Sequence, residues 1–278
     1  MTGQPRLRVV TYNVLGPANP LWERRLPVIA AALRRLDADV VALQEVPVGD
    51  TDLVHQLVDP SFAVRPFSGT APDGVGGLLA TRWPHRLVDE LDQRVDEQSL
   101  PWAATLLVEL ETPVGRTLVA HHKPSWPFTA EHEREQQALA AARLLERHAA
   151  GAQHAVVLGD LDATPDAASV QFLRGRRSLA GASVCYTDAW EIAHPGEPGH
   201  TFSAENPLVR AGEVATAVSR RIDYVLVRGG AHGPSLEVLS CERLLDGPAE
   251  GVWASDHYGV VADLALPEHP PGSWGVRA

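Results

Sequence analysis

The sequence predicts a layered α/β fold: two mixed β-sheets packed face to face, with helices outside. Three observations carry that reading. Apolar strand-like runs alternate with helical periods in each half of the chain, the pattern of α/β layering. Several strand-like runs also follow one another with no helix between them, which a purely parallel sheet does not allow. At 278 residues the chain is long for one domain, yet a large α/β unit reaches that size and buries a core without staples. No repeat, low-complexity block or linker divides it. Residues 1–266 therefore read as a single domain, and 267–278, proline-rich and aperiodic, as a tail.

Leu7 to Tyr12 is a β-branched strand that stops at Asn13, with Leu15-Gly16-Pro17 as its breaker. Trp22 to Leu36 carries apolar residues at Leu26, Ile29, Ala30, Leu33 and Leu36, a helical period. Val40 to Glu45 is a buried-type strand ending in a carboxylate. Two successive strands that stop on polar side chains are the first hint of a site assembled across strand ends. Pro66 to Gly77 reads as a Gly/Pro-rich loop, followed by strands at Leu78 to Thr81, Ala103 to Leu110 and Thr117 to Ala120. The turn Thr112 to Arg116 joins the last two as a hairpin. His121-His122-Lys123-Pro124-Ser125-Trp126 follows, and Thr129 is the expected N-cap of a helix to about Ala150 that Gly151 stops.

The chain is organised around Ala155 to Pro165. Ala155 to Leu158 reads as a buried strand, and Gly159 ends its regular ladder. Asp160 and Asp162 then stand at i and i+2, a spacing that lets two carboxylates in an extended segment converge at the strand mouth. Such a pair suits holding a hard cation or positioning a water. A short helix is expected from Asp166 to Leu173, and Val184 to Ile192 as an irregular connection carrying Trp190. Ser203 to Ser219 reads as a long, mobile polar loop. Strands follow at Arg221 to Val227, Leu236 to Cys241 and Tyr258 to Leu266.

The formal charge of −11 argues against broad attraction to nucleic acid, and the lack of a Lys/Arg cluster against processive binding of long duplex DNA. Small molecules and short single strands stay open. Lys123 is the only lysine. Cys185 and Cys241 fit no metal or redox spacing and read as reduced, buried thiols. There is no apolar run of membrane-spanning length and no signal-peptide pattern, so a soluble cytoplasmic protein is expected.

The polar residues at strand ends share a chemistry. Thr-Tyr-Asn13, Leu-Gln-Glu45-Val, His121-His122, Gly-Asp160-Leu-Asp162-Ala-Thr-Pro, Arg-Ile-Asp223-Tyr and Ser-Asp256-His257-Tyr-Gly-Val occur in that order. Together they resemble the endonuclease/exonuclease/phosphatase (DNase I-like) superfamily, from Arg8 to about Leu264. The resemblance implies a four-layer α/β sandwich with the site at one rim of its two sheets, and a divalent ion, Mg²⁺ with Mn²⁺ as a substitute, at a phosphate ester. It implies that Glu45 is the main metal ligand, with Asp256 serving the metal and Asn13 contacting metal-bound water or phosphate. Asp160 matches the residue that orients or deprotonates the attacking water. His257 matches a phosphate contact, and Asp223 its partner. His122 matches a second phosphate-side histidine, a role that falls to His121 if the register shifts by one. Lys123 adds positive charge for the phosphate.

One departure stands out: the family usually has asparagine where this chain has Asp162. An ionised aspartate cannot donate to a phosphoryl oxygen. Asp162 therefore binds a second cation, carries a raised pKa beside Asp160, or faces away from substrate, and we expect a cation. The leading expectation is a metal-dependent phosphodiesterase or nuclease. A phosphomonoesterase acting on sugar, inositol or lipid phosphates is the second, and a non-catalytic phosphate-binding scaffold the third. The substrate is written in the loops around Pro66–Gly77, Pro124–Thr129 and Ser203–Ser219, and no protein partner is legible.

Overall fold

The computed structural model describes residues 4–95, 99–216 and 218–273. It is a four-layer α/β sandwich of two mixed sheets with helices on both outer faces. The first sheet contains β1 (Arg6–Asn13), β2 (Val40–Pro47), β3 (Ala63–Pro66), β4 (Val75–Thr81), β12 (Glu237–Leu244) and β13 (Gly259–Ala265), in the order β12-β13-β1-β2-β4-β3. The second contains β5 (His85–Asp92), β6 (Ala104–Thr112), β7 (Gly115–Lys123), β8 (His154–Asp160), β10 (Asp223–Gly230) and β11 (Gly233–Pro234), in the order β11-β10-β8-β7-β6-β5. β9 (Tyr186–Asp188) pairs with β10.

Each sheet has one parallel pair at its heart, β1 beside β2 and β7 beside β8. A helix makes each crossover: α1 (Trp22–Leu36) in the first and α3 (Glu131–Ala149) in the second. All other pairings are antiparallel, so strands entering the sheets at the rim lie beside strands ending there. Asp223, first residue of β10, stands opposite Asp160, last residue of β8. That register is what brings distant pieces of sequence to one edge.

The central core lies between the sheets, where Val9, Ala42 and Leu79 meet Leu106, Val119, Leu158 and Val225. Outside the first sheet, α1 lays Leu26, Ile29 and Leu33 against Val10, Val41 and Leu43. Outside the second, α3 and α4 (Ala168–Leu173) cover Leu118, Val157 and Leu226 with Leu144, Leu145 and Phe172. Burying side chains of this size contributes about 1.5–3 kcal/mol each.

Several expectations are corrected. Helix α2 (Thr51–Leu57) and strands β3 and β5 stand where no element was expected. β5 alternates poorly and stays at most half-buried at a sheet edge, which hides its period. The expected N-cap Thr129 is not one: α3 starts after Ala130 with no side-chain cap. Gly159 does not end the ladder of β8, since it pairs with Tyr224 and the strand continues to Asp160. The connection 184–192 is ordered into β9 and α5 (Ala189–Ala193), and the loop 203–219 contains α6 (Pro207–Ala211), with residue 217 outside the described residues. Both cysteines are free, but Cys185 is exposed and only Cys241 is buried. Of the tail 267–278, residues 274–278 lie outside the described residues. Among the described residues no helix is long and apolar enough to cross a membrane.

Candidate functional site

A cavity of about 390 Å³ opens where the rims of the two sheets meet. Asn13, Glu45, Lys123, Asp160, Asp162, Asp256 and His257 all line it, with Arg220. The local backbone explains how each arrives.

β2 carries an irregularity between Leu43 and Val46, and Glu45 within it is left-handed at φ 61°. That kink re-aims a carboxylate that the strand would otherwise direct by alternation. Asn13 ends β1 beside it and donates its amide Nδ2 to Glu45 Oε1 at 3.0 Å and to Asp160 Oδ2 at 3.1 Å. One side chain thus joins carboxylates from opposite sheets. The Gly16 amide donates to Glu45 Oε2 at 3.3 Å, and a Cβ on Gly16 would lie 2.9 Å from the Glu45 carbonyl, so glycine is needed for the approach.

On the second sheet, His121 and Lys123 share the inward face of β7 and His122 the outward face, by the two-residue alternation of a strand. Lys123 reaches the rim. Its ammonium donates to Asp160 Oδ2 at 2.7 Å and to Asp162 Oδ2, and the lysine is 3% exposed. Lys123 therefore places a positive charge at Asp162, where a second cation was expected. Asp162 does not converge with Asp160 by extended geometry. Its φ is 51°, and its backbone amide donates to Asp160 Oδ1 at 3.2 Å. Burial works against an ionised Asp160, but Lys123, His257 and Asn13 bring it down to about 2. Burial and the neighbouring Asp160 push Asp162 up to about 6, against the pull of Lys123.

His257 enters just before β13, and its Nδ1 lies 3.0 Å from Asp223 Oδ2. Burial opposes its protonation, yet Asp223 and Asp160 hold the imidazole well above its usual range. Asp223 is free for this partner because Arg221 pairs with Asp188 at 2.7 Å and Arg220 lies over the Phe128 ring at 4.2 Å. Asp160, Asp223 and His257 offer polar atoms within 4.8 Å of one another. His257 and Asp223 bond each other, Asp160 bonds Lys123 and Asn13, and among the described residues no hydrogen-bond partner reaches the buried Asp223 Oδ1.

The two sequence-expected histidines of β7 are not brought to the cavity. His121 is buried between the sheets, 2.7 Å from the Gln44 amide and against the Phe67 ring. His122 faces the helical layer, with Nδ1 2.7 Å from Thr105 Oγ1. Burial pushes both down to about 3, so both are neutral at physiological pH.

Glu45 and Asp256 remain as hard oxygen donors on one wall. Among the described residues no Lys or Arg forms an ion pair with either. Burial, assisted by Glu45 and opposed by His257, raises the Asp256 carboxyl. Two carboxylates facing one cavity without a basic partner, beside the Asn13 carboxamide, fit a divalent ion that takes oxygen ligands.

Three supports escaped the sequence reading. Arg25 is fully buried and its guanidinium donates to the carbonyls of Val14, Leu15, Gly16, Pro20 and Ala254, tying the loop after Asn13 to the turn before Asp256. A signal existed: Trp22, Arg25, Leu26 and Ile29 occupy the one buried face of α1, so this arginine sits at a core position. Asn206 caps α6 and donates to the Ser255 carbonyl at 2.8 Å. Ser255 donates to the Asn13 carbonyl at 2.7 Å. Short polar residues in loops carry no periodicity that would announce such roles.

The opposite wall is apolar: Leu100, Trp102, Trp126, Phe128, Phe202 and Val209. Trp126 and Phe128 are exposed at the mouth.

An acid-lined notch with a paired histidine, at the common rim of a four-layer sandwich, defines a DNase I-like protein. The Endonuclease/Exonuclease/phosphatase family matches residues 10–257, and the chain belongs to that family. Its members are generally hydrolases of phosphate esters and typically use divalent metals. None of the curated proteins matches the chain. Among solved structures, truncated TDP2 from Caenorhabditis elegans superposes with a TM-score of 0.73 at 15% identity, over 94% of this chain and 98% of that one. TDP2 from D. rerio, complexed with a single-strand DNA product, gives 0.71 at 16% identity, over 94% and 99%. An endonuclease/exonuclease/phosphatase from Bacteroides vulgatus gives 0.67 at 19% identity, over 94% and 99%. Likenesses at these identities speak for the fold.

Proposed function

We propose that the chain is a Mg²⁺-dependent phosphoesterase that hydrolyses a phosphodiester by direct attack of water. The observation that carries this reading is the Asn13 carboxamide, which ties Glu45, on the cation-binding wall, to Asp160, on the water-activating side. A divalent ion held by Glu45 and Asp256, with Asn13 alongside, would neutralise charge on the phosphoryl oxygens.

The remaining work belongs to side chains. The Asp160–Asp162 pair orients the water and takes its proton. His257, kept cationic by Asp223, donates to a phosphoryl or leaving-group oxygen. Arg220 supplies a second positive charge at the cavity wall. Five carboxylates along one cavity, Glu45, Asp160, Asp162, Glu213 and Asp256, favour the monoanion of a diester over the dianion of a monoester. The cavity volume and the apolar wall suit a small diester or the end of a short strand, and the DNA product held by TDP2 from D. rerio keeps single-strand DNA among the candidates.

The test is turnover of bis-p-nitrophenyl phosphate. Hydrolysis requires Mg²⁺, stops with EDTA, returns with Mg²⁺ or Mn²⁺, and falls at least about 100-fold in Asp160→Ala. Turnover that survives chelation refutes the metal reading. Wild-type protein with no turnover of this diester or of a nucleotide panel would leave the scaffold reading.

A further inference from the structure

An ionised carboxylate has about four lone-pair sites. In Asp160 three are taken by protein donors: Lys123 Nζ and Asn13 Nδ2 on Oδ2, and the Asp162 amide on Oδ1. The residue is 1% exposed. In Asp162 the Lys123 ammonium meets Oδ2, and among the described residues no donor reaches Oδ1. Asp162 also lines the cavity with 9% of its surface exposed. Its left-handed backbone, a conformation that costs a non-glycine residue about 1–2 kcal/mol, holds the carboxylate in this place.

We propose that Asp162, rather than Asp160, accepts the proton of the attacking water, and that Lys123 is the positioning residue that divides the two carboxylates between orientation and proton transfer. The inference rests on the phosphoesterase reading and names its base. A lone carboxylate would have to orient the water and take its proton as well. Here the added acid and the chain's only lysine arrive together: the ammonium balances one of the two negative charges and pins Asp160.

The balance is simple. The water oxygen forms a bond to phosphorus while the bond from phosphorus to the leaving oxygen breaks. The water proton passes to Asp162 Oδ1. The leaving oxygen takes a proton from the His257 imidazolium, or departs as the anion if it is a nitrophenolate. Exchange with solvent resets both groups. The charged groups facing Asp162 are Asp160, Lys123, His257 and Arg220. A group brought close to neutrality by its surroundings is a better base than one held near 2, which agrees with the geometric assignment.

Steady-state hydrolysis of bis-p-nitrophenyl phosphate at saturating Mg²⁺ tests this with Asp162→Asn, Asp162→Asn/Lys123→Gln and Asp162→Gly. Asp162→Asn is expected to lower kcat at least about 100-fold with little change in KM. Adding Lys123→Gln frees Asp160 and recovers at least about tenfold of that loss, which a fold defect would not do. Asp162→Gly suits the left-handed backbone and leaves room for formate, which restores turnover at least about tenfold. Asp162→Asn within threefold of wild type overturns the inference, as does a double variant no faster than Asp162→Asn together with no formate rescue. An inactive wild type overturns the phosphoesterase reading itself, and this inference with it.

Discussion

Replacing Arg25 with methionine separates scaffold from chemistry. The guanidinium donates five hydrogen bonds to carbonyls at 2.8, 2.8, 3.2, 2.7 and 3.3 Å, and touches neither the cavity nor any acid that lines it. Methionine keeps the apolar stem packed in α1 but removes every donor. The carbonyls of Pro20 and Leu15 are half-buried and can turn to water, whereas the bonds to Val14, Gly16 and Ala254 are buried. Each buried acceptor left unpaired costs about 1–3 kcal/mol. Relief of the desolvation that lowers the Arg25 pKa offsets part of this, leaving roughly 3–5 kcal/mol. In a chain of this size a loss of that order lowers Tm by about 10 °C. Urea and thermal unfolding followed by tryptophan fluorescence measure it. Because the loop after Asn13 and the turn before Asp256 both lose their anchor, the Mg²⁺ concentration for half-maximal activity should also rise. A variant that melts within 2 °C of wild type with unchanged Mg²⁺ dependence would refute the reasoning.

Two further outcomes are expected. Gly159→Ala should not accumulate as folded protein, since a Cβ there would lie 2.0 Å from the His122 carbonyl across the parallel pair; normal soluble yield and circular dichroism would contradict this. Arg8 donates to both oxygens of Asp263 at 2.7 Å and holds that carboxyl below its usual range. The stabilisation is present above the unfolded pKa of about 4 and lost as pH falls through the lower folded value, so Arg8→Gln should be less stable than wild type at pH 7, by a gap that narrows as the pH falls below about 4. Urea midpoints measured from pH 3 to 7 decide it, and a gap that stays constant would count against the pair.

The long apolar strands and the two crossover helices were legible because their periods are strong, and so were the polar residues Asn13, Glu45 and Asp160 at the ends of β1, β2 and β8. The partnerships were not. The i, i+2 spacing of Asp160 and Asp162 suggested convergence, but the left-handed turn at Asp162 and the lysine of a neighbouring strand create it. The family resemblance also put His122, or His121 with the register shifted by one, beside the phosphate. The register of β7 turns one into the core and the other toward the helices, and delivers Lys123 instead. Arg25 was overlooked because an arginine in a helix ordinarily faces water, and only its place among Trp22, Leu26 and Ile29 says otherwise.

At the cavity rim the Asn13 carboxamide on Asp160 and the His257 ring on Asp223 are struts across the seam of the sandwich. Each half of the molecule therefore owns only part of the candidate site, and the spacing between those parts is set by Val9, Leu79, Leu106 and Leu158 deep beneath. Changing the bulk of those hydrophobic spacers would slide the halves and detune the chemistry from a distance, leaving every reacting group chemically intact.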